Sequence, residues 1–216
     1  MMSRFPVGLM ALLLGVFGPA FSFGAGHQAA LQPYVKGPPP LTLSQADRTA
    51  LRGGNAVFKS FNSADDNRTA IVFRVAAPTS IVWSVITDFD AYPQWIKMVK
   101  ETEVYKREQH DIYVRFEISH WLLGRYTYYM RHFFPWRQKS WGVWQLDENQ
   151  ASDFTAAIGF WRVIPVVGNA EHSDVIYSAD LRFKAAKPQW LRRFVVKRSL
   201  KQATRWVKQQ AEARWR

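Results

Sequence analysis

The residues of this chain that could perform metal or acid–base chemistry are few and far apart. No cysteine occurs among the 216 residues, which excludes disulfides and thiolate metal sites. Five histidines are scattered along the chain, and none lies at the spacing of a metal-binding or hydrolytic motif. The sequence also lacks a glycine-rich phosphate loop and a nucleophile elbow. It therefore predicts neither a metal site nor a bound cofactor.

Two small groups of residues could still carry acid–base chemistry. His132 shares one face of a predicted strand with Tyr128 and Met130, where it could orient a polar ligand group or exchange a proton. The same pattern is typical of a histidine that is hydrogen-bonded within a core. Asp88 and Asp90 could act as a carboxylate pair, but their position favours ending a helix and shaping a turn. A mechanism that needs a paired acid and base thus has only His132, without an evident partner.

The elements that would position these residues are mostly β-strands. Apolar and polar residues alternate strictly over 112–118, so one face of that strand is apolar. Short polar connections join successive strands, which indicates an antiparallel, strongly bent sheet. The strands are predicted over residues 57–61, 69–75, 99–107, 112–118, 125–134, 141–146, 154–164 and 174–184, with a turn over 165–171.

Helices are predicted at both ends of this series and after its first hairpin. Ser44 is a suitable N-cap for a two-turn helix over 45–51. Pro78 begins a second helix, in which Trp83 should be largely buried beside Ile86 and Phe89, and a short helix follows it. A long C-terminal helix covers 188–213. Its apolar stripe comprises Val196, Leu200, Ala203, Val207 and Ala211, and its opposite side carries Lys197, Arg198, Lys201, Arg205 and Lys208.

The stretch 77–95, APTSIVWSVITDFDAYPQW, resembles the opening of the START-related superfamily, which includes polyketide cyclase/dehydrase-like and coenzyme Q-binding-protein-like domains. Residues 159–165, GFWRVIP, and residues 188–191, PQWL, are similar to later parts of the family pattern. The resemblance covers roughly 44–213. It implies an α+β helix-grip fold, in which a curved antiparallel β-sheet wraps around a long C-terminal α-helix and two short helices follow the early strands. It also implies a cavity between the sheet and that helix.

The first 43 residues differ from this domain. A charged start and an apolar run from Val7 to Phe23 are the layout of a secretory signal peptide, which we assign to residues 1–24. Residues 25–43 contain four prolines and no period, which predicts a flexible, exposed arm before the domain at 44–213. The signal peptide predicts a periplasmic or secreted protein.

The residues that point inward could form either a packed core or the lining of a pocket for an apolar ligand. This inward set comprises Phe116, Ile118, Tyr128, Met130, His132, Ile158, Phe160, Tyr177, Leu200 and Val207. Three functions fit: an exported binding protein for a lipid, isoprenoid or quinone, a polyketide cyclase/dehydratase-like enzyme, or a structural envelope protein with a filled core. Binding needs no catalytic group, so it is the leading hypothesis, and the oligomeric state stays open.

The chain is strongly basic, with 29 Lys and Arg against 17 Asp and Glu. Such a balance favours polyanionic partners, and outside the cytoplasm the abundant polyanion is an anionic membrane surface rather than nucleic acid. We therefore expect the basic side of the C-terminal helix to contact anionic lipid headgroups, with an ordinary solvated helix face as the alternative.

Overall fold

The computed structural model describes residues 34, 36–63, 66–120, 124–135, 140–184 and 189–216. The helices are α1, Gln45–Arg52; α2, Thr79–Ile86; α3, Tyr92–Trp95; and α4, Gln189–Trp215; a single 3₁₀ turn, Phe89–Ala91, joins α2 to α3. The strands are β1, Val57–Ser63; β2, Asp66–Val75; β3, Val99–Glu108; β4, Asp111–His120; β5, Gly124–Phe133; β6, Trp141–Leu146; β7, Phe154–Val166; and β8, Asn169–Phe183.

The eight strands form one curved antiparallel sheet in the order β1-β2-β8-β7-β6-β5-β4-β3. Almost all strands that are neighbours in the sheet also follow one another along the chain and are joined by short connections. The exception is the pair β2 and β8, which places the first hairpin beside the last strand. Helix α4 packs on β2, β8 and α2, and it contributes Leu200, Ala203 and Val207 to the main core. This arrangement confirms the predicted helix-grip α+β fold.

The local signals at the first helix act as the sequence indicates. The Ser44 side chain accepts a hydrogen bond from the backbone N–H of Asp47 at 3.1 Å, and the Asp47 carboxylate accepts one from the backbone N–H of Ser44 at 2.7 Å. This capping box satisfies two donors that the first turn of a helix leaves unpaired. The adjacent Lys59 ammonium donates to Asp47 at 2.8 Å, so α1 is fixed to the sheet at β1.

The hairpin of β7 and β8 is longer than predicted, and the predicted turn at 165–171 is wrong. Strand β7 continues through Pro165 to Val166, and β8 begins at Asn169. The backbone N–H of Val163 still donates to the Ser140 carbonyl at 2.8 Å, and beyond Val163 the pairing of β7 among the described residues is with β8 alone, so Pro165 lies at an edge. A proline, which lacks an N–H, is tolerated at such an edge. The tight turn is therefore confined to residues 167 and 168.

The part of the N-terminal arm that the structure describes is partly packed on the sheet, although Lys36, Pro40 and Thr42 are exposed. The Tyr34 ring meets the Phe160 ring edge-on at 5.1 Å, and Pro38 is buried. The Arg162 guanidinium donates a hydrogen bond to the Pro38 carbonyl at 3.0 Å. The expectation of an exposed segment is thus corrected at Pro38, and the flexibility of the arm stays a prediction. The segment has no regular repeat of apolar residues, so its sequence pattern did not indicate that it buries side chains.

The environment of Trp83 also differs from the prediction. Its side chain is only half-buried where it was predicted to be largely buried; it packs against the main core, which contains Ile86 and Phe89, and its ring meets Phe134 edge-on at 5.9 Å. The inward side of α2 is occupied by Val82, Val85 and Ile86, which leaves Trp83 on the flank of the helix. The predicted signal peptide, residues 1–24, lies outside the described residues. Of the helices that the structure describes, none is long and apolar enough to cross a membrane.

Candidate functional site

A cavity of about 160 Å³ lies between the concave face of the sheet and α4. Strands β4, β5, β7 and β8 form one wall, the segment around α3 forms a second, and one face of α4 closes it. Its lining comprises Tyr92, Ile96, Met98, Val99, Phe116, Ile118, Tyr126, Tyr128, Met130, His132, Trp144, Phe154, Trp161, Tyr177, Ala179, Leu181, Phe183, Gln202, Ala203 and Trp206.

Six of the predicted inward residues lie in this lining: Phe116, Ile118, Tyr128, Met130, His132 and Tyr177. Five of them lie on the paired strands β4 and β5, in whose register Phe116 lies opposite Tyr128. The Phe116 and Tyr128 rings stack with their centroids 5.2 Å apart. The period-two pattern therefore identified which residues of β4 and β5 face the cavity.

Two of the predicted residues lie on the wrong face of the sheet. Ile158 and Phe160 point to the convex side, where Phe160 packs with Leu51, Val72 and Ile176 in a second core. The register shows why, because Trp161 lies opposite Tyr177 while Phe160 lies opposite Ser178. Both faces of β7 are buried, so its sequence has no exposed face to set the phase, and the prediction was off by one residue.

Leu200 and Val207 also lie outside the described lining of the cavity. Both are fully buried in the core between α4 and the sheet. The contacts of α4 with the cavity are made instead by Gln202, Ala203 and Trp206. The stripe defined by spacing therefore lies in the core as predicted, and of its described members only Ala203 also borders the cavity. The Val196 side chain lies outside the described residues.

Sequence reasoning missed most of the aromatic residues of the wall. Trp161 and Tyr177 stack at 4.0 Å, and Trp206 meets Tyr92 at 4.8 Å and Trp95 at 6.0 Å. The signal that could have indicated them is composition, since the chain has ten Trp, eight Tyr and fifteen Phe. Composition predicts many rings in the interior but does not say which side of a doubly buried strand each one occupies.

His132 is the polar residue of greatest interest in the wall. It is only 7% exposed, and Phe89 and Phe134 flank its ring at 4.6 and 6.0 Å. No described residue forms a hydrogen bond with its Nε2 atom. Burial lowers the pKa of His132 to about 3, because desolvation penalises the charged ring and no anion offsets that penalty. The ring is therefore neutral at physiological pH.

The phenol groups of the wall are neutral as well. The Tyr92 hydroxyl donates a hydrogen bond to the Ile86 carbonyl at 2.6 Å, and burial raises its pKa well above the usual value. Burial likewise raises the pKa of Tyr128. Within the described part of the lining there is no Asp, Glu, Lys or Arg. The cavity is thus an uncharged, aromatic compartment with a few neutral hydrogen-bonding groups.

The two aspartates considered from the sequence do not form a carboxylate pair. Asp88 accepts a hydrogen bond from the Arg214 guanidinium at 2.7 Å, which ties the end of α4 to the segment after α2. Asp90 is exposed on the 3₁₀ turn. The structure therefore agrees with the turn-shaping alternative. Among the described residues no group of three or more His, Asp or Glu side chains could hold a metal ion.

The basic side of α4 is accessible to a partner. Lys197, Arg198, Lys201 and Arg205 are exposed. Lys208 is half-buried, and its ammonium lies 3.8 Å from the Glu212 carboxylate. Glu212 also accepts a hydrogen bond from the backbone N–H of Ala76 at 3.0 Å, so the C-terminal end of α4 is held against the sheet.

A family model described as polyketide cyclase / dehydrase and lipid transport matches residues 75–207 of the chain. No curated protein sequence matches the chain. Among solved structures, the Zhui aromatase/cyclase of Streptomyces superposes with a TM-score of 0.58 at 18% identity, covering 75% of this chain and 97% of that one.

Two lipid transfer proteins superpose equally well. A STAR-related lipid transfer protein from Xanthomonas axonopodis has a TM-score of 0.58 at 17% identity, covering 72% of this chain and 93% of that one. Human StAR-related lipid transfer protein 5 has a TM-score of 0.57 at 9% identity, covering 73% and 82%. At these identities the likeness shows the fold alone.

Proposed function

Because the chain belongs to the polyketide cyclase/dehydrase and lipid transport family, we propose that it binds an apolar, uncharged small molecule in the cavity under α4. The observation that carries the proposal is the composition of the wall, in which ten aromatic rings and no charged side chain surround an unfilled space among the described residues. Apolar surface that leaves water contributes about 25 cal/mol per Å², so affinity needs no catalytic group. The space itself is evidence against a structural protein with a filled core.

Filling the cavity tests this proposal directly. Ala203 lies in the cavity wall on α4 and is 3% exposed, whereas Ala213 is exposed on the same helix. Ala203→Phe should abolish the binding of apolar ligands recovered with the wild-type protein, as seen by native mass spectrometry. Ala213→Phe is the matched control and should retain them. Equal ligand retention by the two variants would contradict a site under α4.

An enzyme of the cyclase or dehydratase type is the second candidate, and His132 is the observation that favours it. Cyclisation followed by loss of water needs one group to remove a proton beside a carbonyl and another to protonate the departing hydroxyl. The described wall offers His132 Nε2 for the first task, but for the second it offers only phenols such as Tyr92 and Tyr128, whose pKa values burial raises and which are therefore weak proton donors. Binding is therefore the better supported function. Conversion of a poly-β-ketone substrate that disappears in His132→Phe would reverse this preference.

We also propose that the protein is exported and works beside a membrane. Residues 1–24 have the layout of a signal peptide, and N-terminal sequencing of the mature protein tests their removal. The ligands of this class of site are poorly soluble in water, so a surface that holds the protein at a bilayer would aid exchange. Exposed basic residues near an anionic surface contribute about 1 kcal/mol each.

The membrane contact is tested by removing charge from two different places. One variant replaces Lys197, Arg198, Lys201, Arg205 and Lys208 by Gln. The matched control replaces five exposed basic residues elsewhere, Lys36, Arg48, Arg52, Lys100 and Arg107. Both variants lose the same net charge, so only the first should lose binding to vesicles that contain phosphatidylglycerol at low salt. Equal binding by the two variants would discard a specific role of α4.

A further inference from the structure

Resting on the proposed function, we propose that the cavity is specific for a compact, uncharged aromatic molecule with one hydroxyl group, a phenol-like ligand, which is bound through His132. Long aliphatic chains and charged aromatic acids are excluded from this class.

Size is the first argument. The cavity measures about 160 Å³, close to the roughly 150 Å³ of an engineered apolar cavity that accepts benzene. Typical pockets for larger ligands measure about 300 to 1,000 Å³. One or two fused rings therefore fit without any movement of α4, whereas a diacyl lipid does not.

The shape of the wall is the second argument. Trp161 and Tyr177 stack at 4.0 Å on one side, and Phe116 and Tyr128 stack at 5.2 Å on another. Flat ring faces complement a flat ligand, because offset stacked and edge-to-face contacts between rings contribute beyond the burial of apolar area. A flexible chain would lose conformational entropy in such a slot without gaining these contacts.

The third argument is the hydrogen-bonding capacity of His132. Its Nε2 atom is buried and has no partner among the described residues. A buried polar atom without a hydrogen bond costs about 1 to 3 kcal/mol, so a ligand that supplies the missing partner is favoured over one that does not. In a neutral imidazole Nε2 either accepts or donates a hydrogen bond, depending on the tautomer, and a ligand hydroxyl, which can do both, satisfies it in either case.

The same wall disfavours charged ligands. The described lining contains no cation to pair with a carboxylate and no anion to pair with an amine. Moving an unpaired charge into such surroundings is strongly unfavourable. An aromatic hydroxyl, which is neutral at physiological pH, meets both the polarity and the charge requirement.

The test compares two ligands that differ by one hydroxyl, 4-methylphenol and toluene, on the full-length protein. Quenching of tryptophan fluorescence reports binding, because Trp144, Trp161 and Trp206 lie in the wall. We expect wild type to bind 4-methylphenol roughly 5-fold more tightly than toluene, since a hydrogen bond contributes about 1 kcal/mol and 1.4 kcal/mol is tenfold. His132→Phe should lose this preference and bind toluene at least as tightly as 4-methylphenol, because the hydroxyl of the ligand would then be buried without a partner, and it should keep its affinity for toluene.

A second variant and two further probes make the result specific. Tyr128→Phe removes the hydroxyl of another residue on the same strand face and should leave the preference for 4-methylphenol intact. 4-Methylbenzoate and hexadecanol should bind at least 10-fold more weakly than 4-methylphenol. The inference is overturned if hexadecanol binds more tightly, or if the preference survives in His132→Phe and disappears in Tyr128→Phe.

Failure of this inference is distinguishable from failure of the proposed function. If toluene and 4-methylphenol bind equally to wild type, the cavity binds apolar molecules but does not discriminate between ligands with and without a hydroxyl. Only the inference is then wrong. If neither probe nor hexadecanol binds, the cavity is not an apolar ligand site, and both proposals fall.

Discussion

The two faces of β7 are both buried, but one packs in a filled core and the other borders the cavity. On the convex face Phe160 is completely buried between α1, the N-terminal arm and the neighbouring strands. On the concave face its neighbour in the chain, Trp161, is 5% exposed and borders the cavity. Adjacent residues of one strand thus belong to a filled core and to an unfilled one. The comparison teaches that burial alone does not separate a structural position from a position in the ligand site.

Hydrogen bonding separates the two faces more clearly than burial does. On the convex side the Ser178 hydroxyl donates to the Thr69 carbonyl at 3.0 Å, and Arg162 donates to the Pro38 carbonyl at 3.0 Å. On the concave side the Nε2 atom of His132 has no partner among the described residues. Natural proteins leave few buried polar atoms unpaired, and those that remain are candidates for function. The convex core therefore serves as the support, and the concave side carries the incompletely satisfied site.

Truncating one phenylalanine on each face of β7 should give the largest contrast. Phe160→Ala should lower the free energy of unfolding by about 3 to 5 kcal/mol, because it opens a void in a filled core. Phe154 lies on the same strand but borders the cavity, so Phe154→Ala should cost less stability and should weaken ligand binding instead. Chemical denaturation and ligand titration of both variants measure this. Equal losses of stability would show that the two faces are packed alike.

The contact between Gly159 and Trp144 provides the next test, because it couples the two faces. A Cβ atom at Gly159 would collide with the Trp144 ring, which lines the cavity, and with the Ser178 carbonyl of the next strand. Gly159→Ala should therefore cost about 1 to 3 kcal/mol of stability and should also change ligand affinity, since the displaced ring forms part of the wall.

The matched control for this substitution is Gly53→Ala. A Cβ atom at Gly53 would make only ordinary contacts, the closest at 3.5 Å to the Ala50 carbonyl. This variant should be neutral or slightly more stable than wild type and should bind ligand normally. Unchanged ligand affinity in Gly159→Ala would mean that Trp144 does not shape the site.

Acidification should destabilise the protein through the buried, neutral His132 of the concave face. The pKa of His132 is about 3 in the folded protein, below the usual value of about 6.5 that holds in the unfolded chain. Between these values the unfolded chain binds the extra proton, so stability is lost as the pH falls. The linkage amounts to about 1.4 kcal/mol per pH unit, or about 2 kcal/mol between pH 7 and pH 5.

The variant His132→Phe isolates this contribution. It should lose less stability than wild type over the same pH range by about that amount, because it has no proton to gain there. Thermal unfolding at pH 7 and pH 5 measures the difference. Parallel pH profiles for the two proteins would show that the ring is protonated, or hydrogen-bonded, in the folded state.

The success of sequence reasoning followed the division between strands with one polar face and strands with two apolar faces. In β4 the outward positions include Arg115 and Glu117, so its alternation predicted that Phe116 and Ile118 point inward, although Glu117 is itself buried. Strand β7 has no exposed face, and the equivalent argument placed Ile158 and Phe160 on the wrong side. What decides the phase of β7 is its pairing with β8, and register is a property of two strands that neither sequence shows by itself.

The candidate site was predictable only in part for a related reason. The position of His132 on an inward face followed from the period of β5, but the absence of a partner for its Nε2 atom depends on side chains from distant parts of the chain, among them Phe89 and Phe134. The cavity volume depends likewise on how well many side chains fill a space. Packing of this kind is decided by tertiary contacts, which local patterns do not encode.

The smallest expected effect concerns the arm that covers the convex face. Arg162→Met keeps the apolar stem of the side chain and removes the hydrogen bond to the Pro38 carbonyl. Because a hydrogen bond of this kind contributes about 1 kcal/mol, the unfolding midpoint should shift only slightly, while the arm should open more often. Hydrogen exchange of the Gly37 amide, which donates to the Tyr34 carbonyl at 2.9 Å, reports that opening and should accelerate several-fold. Arg131→Met, which removes an exposed pair with Asp111 elsewhere on the sheet, should leave this exchange unchanged. If ligand binding also weakened in Arg162→Met, the convex face would not be a passive support, because opening of the arm would then be transmitted through β7 to the cavity.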